Sequence, residues 1–549
     1  MLARTLRHQS RVILLVSLVC LFPTTLLAQP AIQWQVSYGG TQDERANSII
    51  QTTDSGYAVA GWTHSTDWDI KKNQGIYDFW ILKLKQDGSI QWQKTLGGNG
   101  TDKAYSIVQT TDKGYIVAGS TNSTDGDVVG LHGGANPPAD VWVVKLDSVG
   151  NVLWKNVYGG SGEDVGYDII QTKDEGYILT GLTHSNDGDV EVIQGGGTTD
   201  VWVVKLDKVG KIVWEKTYGG TWEDRGQTIL EKPDGGYIFA GYTSSNDGQV
   251  SFKHRLNPKN PSDKTYDFWV VSINDTGKIV WEKTYGGNEL DGAYSMIATA
   301  DGGYAVAGYA TSNDGDVTGL HGTGFSDAWV IKIKSTGELE WQKALGGTND
   351  DAANSIIQTR EGGYLIAGVT YSTDGDVAGF HGGTTDIWTA KLSATGALEW
   401  QKPIGGSADE GAYAIIQTFD RGFVLAGSTA SNDGDAELGR GGQDIWIVKL
   451  AVDPNAVGLA LQPNHELFSI YPNPTTRILN LQIDPITSGT VSVQLFNAMG
   501  QIISLPKDNK ASSLDKLQQF DLSKLPSGQY FVRVFDRITS SIKGFELIH

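Results

Sequence analysis

The sequence predicts an all-β chain: a seven-bladed β-propeller of four-stranded blades, followed by a small C-terminal β-sandwich. Three observations carry that expectation. Trp followed five residues later by Gly-Gly occurs at Trp34, Trp92, Trp154, Trp214, Trp281, Trp341 and Trp400, at gaps of 58, 62, 60, 67, 60 and 59 residues; that period is too regular for unrelated domains. Between these landmarks the apolar segments are short, β-branched or aromatic, and bounded by Gly, Asp and Asn, with no helix-period stretch. The ends also complement each other. The last unit has its Trp446 strand but lacks the Trp-x4-Gly-Gly strand that should follow, and the unpaired copy of that strand is Ile32 to Tyr38. An N-terminal strand that completes the last blade closes the ring and leaves no sheet edge open, which a solenoid does not need.

Residues 161–220 show how each unit reads. An acidic pair (Glu163, Asp164) follows the Gly pair and precedes the apolar segment Tyr167 to Thr172. Asp174-Glu175-Gly176 makes a turn into Tyr177 to Gly181. A longer loop, Ser185-Asn186-Asp187-Gly188-Asp189, leads to Asp200-Val201-Trp202-Val203-Val204-Lys205-Leu206, and a turn at Gly210 leads to Ile212-Val213-Trp214. Strand directions alternate, so the 1–2 and 3–4 turns share one face of the disc. The 2–3 loops and blade connections share the other. Trp80, Trp142, Trp202, Trp269, Trp329, Trp388 and Trp446 recur in the third strand; with the seven Trp-x4-Gly-Gly residues they are expected to pack blade on blade.

The loop face collects carboxylates. Asp125/Asp127, Asp187/Asp189, Asp314/Asp316, Asp374/Asp376 and Asp433/Asp435 flank a Gly in the 2–3 loops; the first blade has Asp67-Trp68-Asp69 and the fourth Asp247-Gly248-Gln249. Such pairs can supply oxygen ligands to Ca²⁺, the one candidate cofactor, although none has the twelve-residue EF-hand spacing. The competing reading is that each Asp holds a turn through backbone N–H groups. Departures from the repeat give the candidate ligand-binding residues: Trp68 and Trp222, whose rings suit sugars, and Lys253 and Arg255 in the basic insertion from Ser251 to Tyr266. His132, His321 and His381 sit in related loops of different blades, so loop packing is expected of them rather than a shared ion.

Composition excludes several classes. One Cys in 549 residues rules out a disulfide framework and Cys-based metal sites, and a net charge of −20 argues against nucleic-acid partners. No Gly-x-Ser-x-Gly, His-Glu-x-x-His or phosphate loop appears, and the carboxylate pairs recur in every blade as scaffolding does, so no catalytic residue is assigned. At the N-terminus Arg4, Arg7 and Arg11 precede the apolar run Val12 to Phe22 and the small residue Ala28, the order of a secretory signal peptide. Its removal would take away Cys20 and leave no transmembrane helix in the mature chain. The domains expected are thus 1–28, signal peptide; 29–450, propeller; 451–466, a linker containing Pro and Asn; and 467–549, a separate β domain. Residues 29–464 hold 56 acidic and 32 basic side chains, a net of −24, against +1 for residues 465–549.

That last domain carries a resemblance. Tyr471-Pro472-Asn473-Pro474, the run Val493 to Gln501 with Gly500, the run Leu525 to Arg533 with Gly528 and Tyr530, and Lys543-Gly544-Phe545 resemble the type A C-terminal sorting domain of the type IX secretion system. The resemblance implies a Bacteroidetes-type bacterium, passage through the periplasm, the type IX machinery as partner, and release or attachment to surface lipopolysaccharide. The blades are similar to kelch-like repeats of secreted bacterial proteins, a likeness that transfers no active site. The function expected is a secreted or cell-surface binding protein that holds a glycan or protein on its acidic loop face. The alternatives are a polysaccharide-acting enzyme with a propeller body and a structural surface-layer component.

Overall fold

Each unit folds as four antiparallel strands of seven or eight residues, and the sequence gives the reason. The third strand, such as Asp200–Leu206, is buried along its whole length. It therefore reads as a near-continuous apolar run, as strands covered on both faces do. The outer strand, such as Ile212–Tyr218, alternates toward solvent. The computed structural model describes residues 28–133, 138–196, 198–254, 265–437, 439–455, 468–483, 491–497, 502–503, 510–511, 517–535 and 540–548. The signal-peptide expectation on residues 1–27 lies outside them, as do Arg255 and Gly500.

Seven four-stranded sheets form in sequence order. In the seventh, Ile32–Tyr38 pairs antiparallel with Asp444–Leu450, which also pairs with Phe423–Thr429. The N-terminal strand thus completes the last blade, as its sequence predicts. The seventh blade also borders the first: Phe419 N–H donates to Gln51 Oε1 at 2.7 Å and Gln443 N–H to Asp43 at 2.9 Å, across some four hundred residues of sequence. The sheets therefore close into a ring, with the first strand of each blade innermost and packed against the first strands on either side.

The tryptophans fill the joints. All seven third-strand indoles are buried, and those of blades 2 and 5 pack on Phe79 and Phe268 of the preceding blade. Outer-strand Trp92 and Trp154 pack on Tyr115 and Tyr177 of the following blade, and Trp34 of the seventh sheet on Tyr57 of the first. Six of the seven third-strand indole N–H groups reach a Gln or Glu one residue beyond the outer-strand Trp, such as Glu215 from Trp202 at 2.7 Å. That bond meets the demand of a buried indole for an acceptor.

The chain divides after Asn455 into a second compact unit. There, one small sheet (Phe468–Tyr471, Ile478–Ile483, Leu517–Asp521) and another built on Val491–Asn497, Gly528–Phe535 and Ser540–Leu547 share a core of Leu479, Leu481, Val493, Leu495, Tyr530, Val532 and Phe545. Asn473 ties the Tyr-Pro-Asn-Pro segment to the final strand: its amide donates to Gly544 O and its Oδ1 accepts from Glu546 N–H at 3.0 Å. Tyr530 stacks on Phe545 and donates to Pro526 O. Lys543 pairs with Val532 through the backbone.

Candidate functional site

The loop-face acids divide into three structural roles. The first-strand acid, Glu44, Asp102, Asp164, Asp224, Asp291, Asp351 or Glu410, is buried at the joint. Asp164 accepts from Gly160 N–H at 2.8 Å and from Ser185 Oγ at 2.7 Å. The third-strand acid of the preceding blade faces it across the first Gly of the pair: a Cβ on Gly97 would lie 2.4 Å from Asp78 and 2.6 Å from Asp102, so only glycine fits there. Burial pushes these acids up, Asp200 to about 8, Asp78 and Asp224 to about 7 and Asp444 to about 6.

The Asp-Gly-Asp pairs hold the blade connections. The first Asp of each accepts from the backbone after the Gly pair: Asp125 from Asn99, Asp187 from Ser161, Asp314 from Asn288, Asp374 from Thr348 and Asp433 from Ser407, at 2.6–2.8 Å. The second, Asp127, Asp189, Asp316, Asp376 or Asp435, donates its own N–H to the first Gly carbonyl. These are turn-holding bonds, and among the described residues no three His, Cys, Asp or Glu side chains gather as a metal-ligand set.

The histidines bridge blades. His254, His321 and His381 place Nδ1 at 2.7–2.8 Å from the buried Asp267, Asp327 and Asp386 of their own blade, and Nε2 at 3.3–3.5 Å from Asp316, Asp376 and Asp435 of the next. The two carboxylates hold His254 protonated up to about 10, against its burial. His132 makes the first contact, to Asp140. Elsewhere the same place is taken by Gln74, reaching Asp127, and by Arg440, reaching Asp69. The third blade uses Gln194, whose N–H caps Asp200, and the next loop there carries the neutral Gln249 instead of Asp. Gln249 is thus explained by its neighbour. His254 escaped sequence reasoning as a member of this set because the distance from the bridging residue to its Asp runs from four to thirteen residues.

Sequence reasoning also missed the channel wall. In every inner strand the register slips by one residue, for example between Gly166 and Asp168 against Gly181 and Thr180. This β-bulge re-aims one side chain out of the ladder. The seven bulged residues are Asn47, Tyr105, Tyr167, Gln227, Tyr294, Asn354 and Tyr413, and all line one cavity of about 820 Å³. A glycine opposite makes room: a Cβ on Gly61 would lie 1.8 Å from the carbonyl oxygen of Arg45.

One tier toward the loop face stand Arg45, Lys103, Val165 and Arg225 in blades 1–4, but Gly292, Ala352 and Gly411 in blades 5–7. On the side of blades 6 and 7 the cavity runs on past Ala352 and Gly411 to Tyr371, Thr384, Asp409 and Gln443. The signal in the sequence was the residue three after each first-strand acid, which is Tyr in four blades and an amide in three.

The residues singled out from sequence fare differently. Trp68 is 70% exposed with a left-handed backbone (φ 53°), and Arg440 sits over its ring at 5.6 Å. Trp222 is half-buried and its N–H donates to Ser245 Oγ. Lys253 is buried and donates to Ser244 O, so it does not present a basic finger.

Residues 469–545 match the secretion system C-terminal sorting domain family. Regulatory protein FlaEY of Caulobacter vibrioides is 27% identical over 197 residues, 34% of this chain; the chain spans about a fifth of that protein. Among solved structures, Sqt1 from Chaetomium thermophilum has 12% identity and a TM-score of 0.36, over 72% of this chain and 83% of that one. PorZ, a surface component of the type IX secretion system of Porphyromonas gingivalis, has 10% identity and a TM-score of 0.35, over 94% and 61%. A puromycin hydrolase has 10% identity and 0.41, over 82% and 62%. None reaches a TM-score of 0.5. The sorting domain directs the chain through type IX secretion to the cell surface or the medium, and no helix among the described residues is long and apolar enough to cross a membrane.

Proposed function

We propose, starting from a chain exported by type IX secretion, that the propeller is an extracellular binding protein whose glycan ligand enters the central channel from the loop face. The observation that carries this is the bulge ring: four tyrosines and three amides around one cavity that continues as a trough over blades 6 and 7. Tyrosine rings and amides together suit a ligand of alternating apolar faces and hydroxyls. The site therefore shifts from the outlying Trp68 and Trp222 to the channel wall. Presentation on lipopolysaccharide or release into the medium both leave that mouth in contact with environmental polymers.

A glycan array probed with the full mature chain tests the reading. Tyr105→Ala with Tyr167→Ala, which removes an edge-on ring pair, is expected to abolish capture, and Trp68→Ala to leave it. The reverse pattern would return the site to the loops. Polysaccharide hydrolysis draws on one observation, the unrepeated Asp168 in the same cavity where most other blades have Ser or Thr. Its carboxylate already accepts from Ser106 Oγ and Ile229 N–H. Turnover lost in Asp168→Asn would replace binding with catalysis.

A further inference from the structure

Six lysines buried in the blades each meet a carboxylate: Lys83, Lys145, Lys205, Lys332, Lys391 and Lys449 lie 2.8–3.0 Å from Asp54, Asp112, Asp174, Glu340, Glu399 and Asp420. That is what burying a charge requires. Two neighbouring cations of the loop-side tier depart from the rule: Arg45, which lines the cavity, and Lys103 beside it. Arg45 lies over the Tyr413 ring at 3.3 Å, and its Nε is buried without a partner. In the next blade Lys103 lies 4.3 Å from the Tyr77 ring and 4.8 Å from Trp62. Among the described residues neither has an ion-pair partner. The third cation of the tier, Arg225, does: Glu223 holds it at 2.6 Å. Burial, then the nearby charge of Arg45, depresses the Lys103 ammonium.

Aromatic faces offset only part of what a cation loses on leaving water. Two adjacent cations held this way want a negative partner. The carboxylates lining the cavity do not supply it, since Asp168 is bonded to its own belt, Asp409 accepts from Thr384 N–H, and Glu410 accepts from Gly406 N–H and Thr429 Oγ1. On a chain of net charge −20 this pair of cations beside the cavity is a local exception.

We infer that the ligand is an anionic carbohydrate whose acid group, a sugar carboxylate or sulfate, seats between Arg45 and Lys103 while the chain continues along the trough over blades 6 and 7. This rests on the glycan-binding reading above and adds its charge. The tyrosines and amides of the bulge ring favour a hydroxyl-rich chain over an acidic peptide.

Titration calorimetry on the full mature chain tests it with four probes: galacturonate oligomers, their methyl esters, sulfated dextran oligomers and plain dextran oligomers. Each acidic probe that fits is expected to bind at least about ten-fold tighter than its neutral counterpart, with added salt weakening it; whichever acid is tighter names the group. R45Q/K103Q should bring acid and neutral probes to the same affinity, while R45K/K103R keeps the preference, which guards against a folding defect. Equal affinity for acidic and neutral probes in the native chain would overturn the inference and leave glycan binding standing. Binding of none of the four would overturn both. Binding of glutamate oligomers in their place would overturn the carbohydrate.

Discussion

The two faces of the ring use aspartate in opposite ways. On the face of short turns, Asp54, Asp112, Asp174 and Asp420 hold buried lysines and stay below the usual carboxylate range, held there by bonds from Thr, Lys and backbone N–H. On the loop face, Asp78, Asp200 and Asp224 are buried beside a second carboxylate and are pushed up toward neutrality. The residue type is the same and both sets repeat from blade to blade; the partner decides the sign. A repeated acid therefore says little until its neighbour across the blade joint is known.

The largest expected effect is on the turn face. Asp174→Ala leaves Lys205 with only Thr172 Oγ1 and the Leu206 carbonyl, and should cost about 2 kcal/mol in denaturant melts at pH 7, below the range for a fully buried pair because Asp174 is itself exposed. Asp200→Asn, which mimics the protonated acid, should change stability at pH 8 by less than about 1 kcal/mol. Equal losses would erase the distinction between the faces.

The second effect is on pH dependence. Acids pushed up in the fold keep protons that the unfolded chain releases near pH 4, so stability should rise as pH falls from about 8 toward 5. His254 acts in the same direction: its stabilisation is complete below about 6.5 and is lost as pH rises through about 10. The turn-face acids, held low, weaken only below about pH 4. The thermal midpoint is thus expected to be about 2–4 °C higher at pH 5.5 than at pH 8. A flat or reversed profile would show the loop-face acids to be ordinary.

The smallest effect tests the bridge. His321→Leu, which strips both Asp327 and Asp376, should cost about 1–2 kcal/mol. His321→Gln should cost less than about 0.5 kcal/mol, because Gln74 already bridges in the first blade. Chemical denaturation of the pair reads the difference.

Much of the fold was legible because it repeats. The Trp-x4-Gly-Gly strands, the apolar third strand and the missing fourth strand beside Asp444–Leu450 all follow from residues that must be the same in every blade. The channel wall was not legible, for a physical reason. A side chain's direction in a strand depends on counting residues, and one bulge between Ala46 and Ser48 shifts that count. Regular alternation along the strands therefore does not bring Asn47 and Tyr413 into one ring. Lys253 misled in the opposite way: its charge suggested solvent, but its stem is covered and its head meets a backbone carbonyl.

The joining strand Asp444–Leu450 has a mechanical consequence. It lies between two partners, Ile32–Tyr38 and Phe423–Thr429, and it is the last strand of the ring before the sorting domain. Were the chain pulled through its C-terminal unit, the force would load two hydrogen-bonded ladders at once. An edge strand would peel from one. The clasp that shuts the ring is thus also the strand with a partner on each side to resist such a pull.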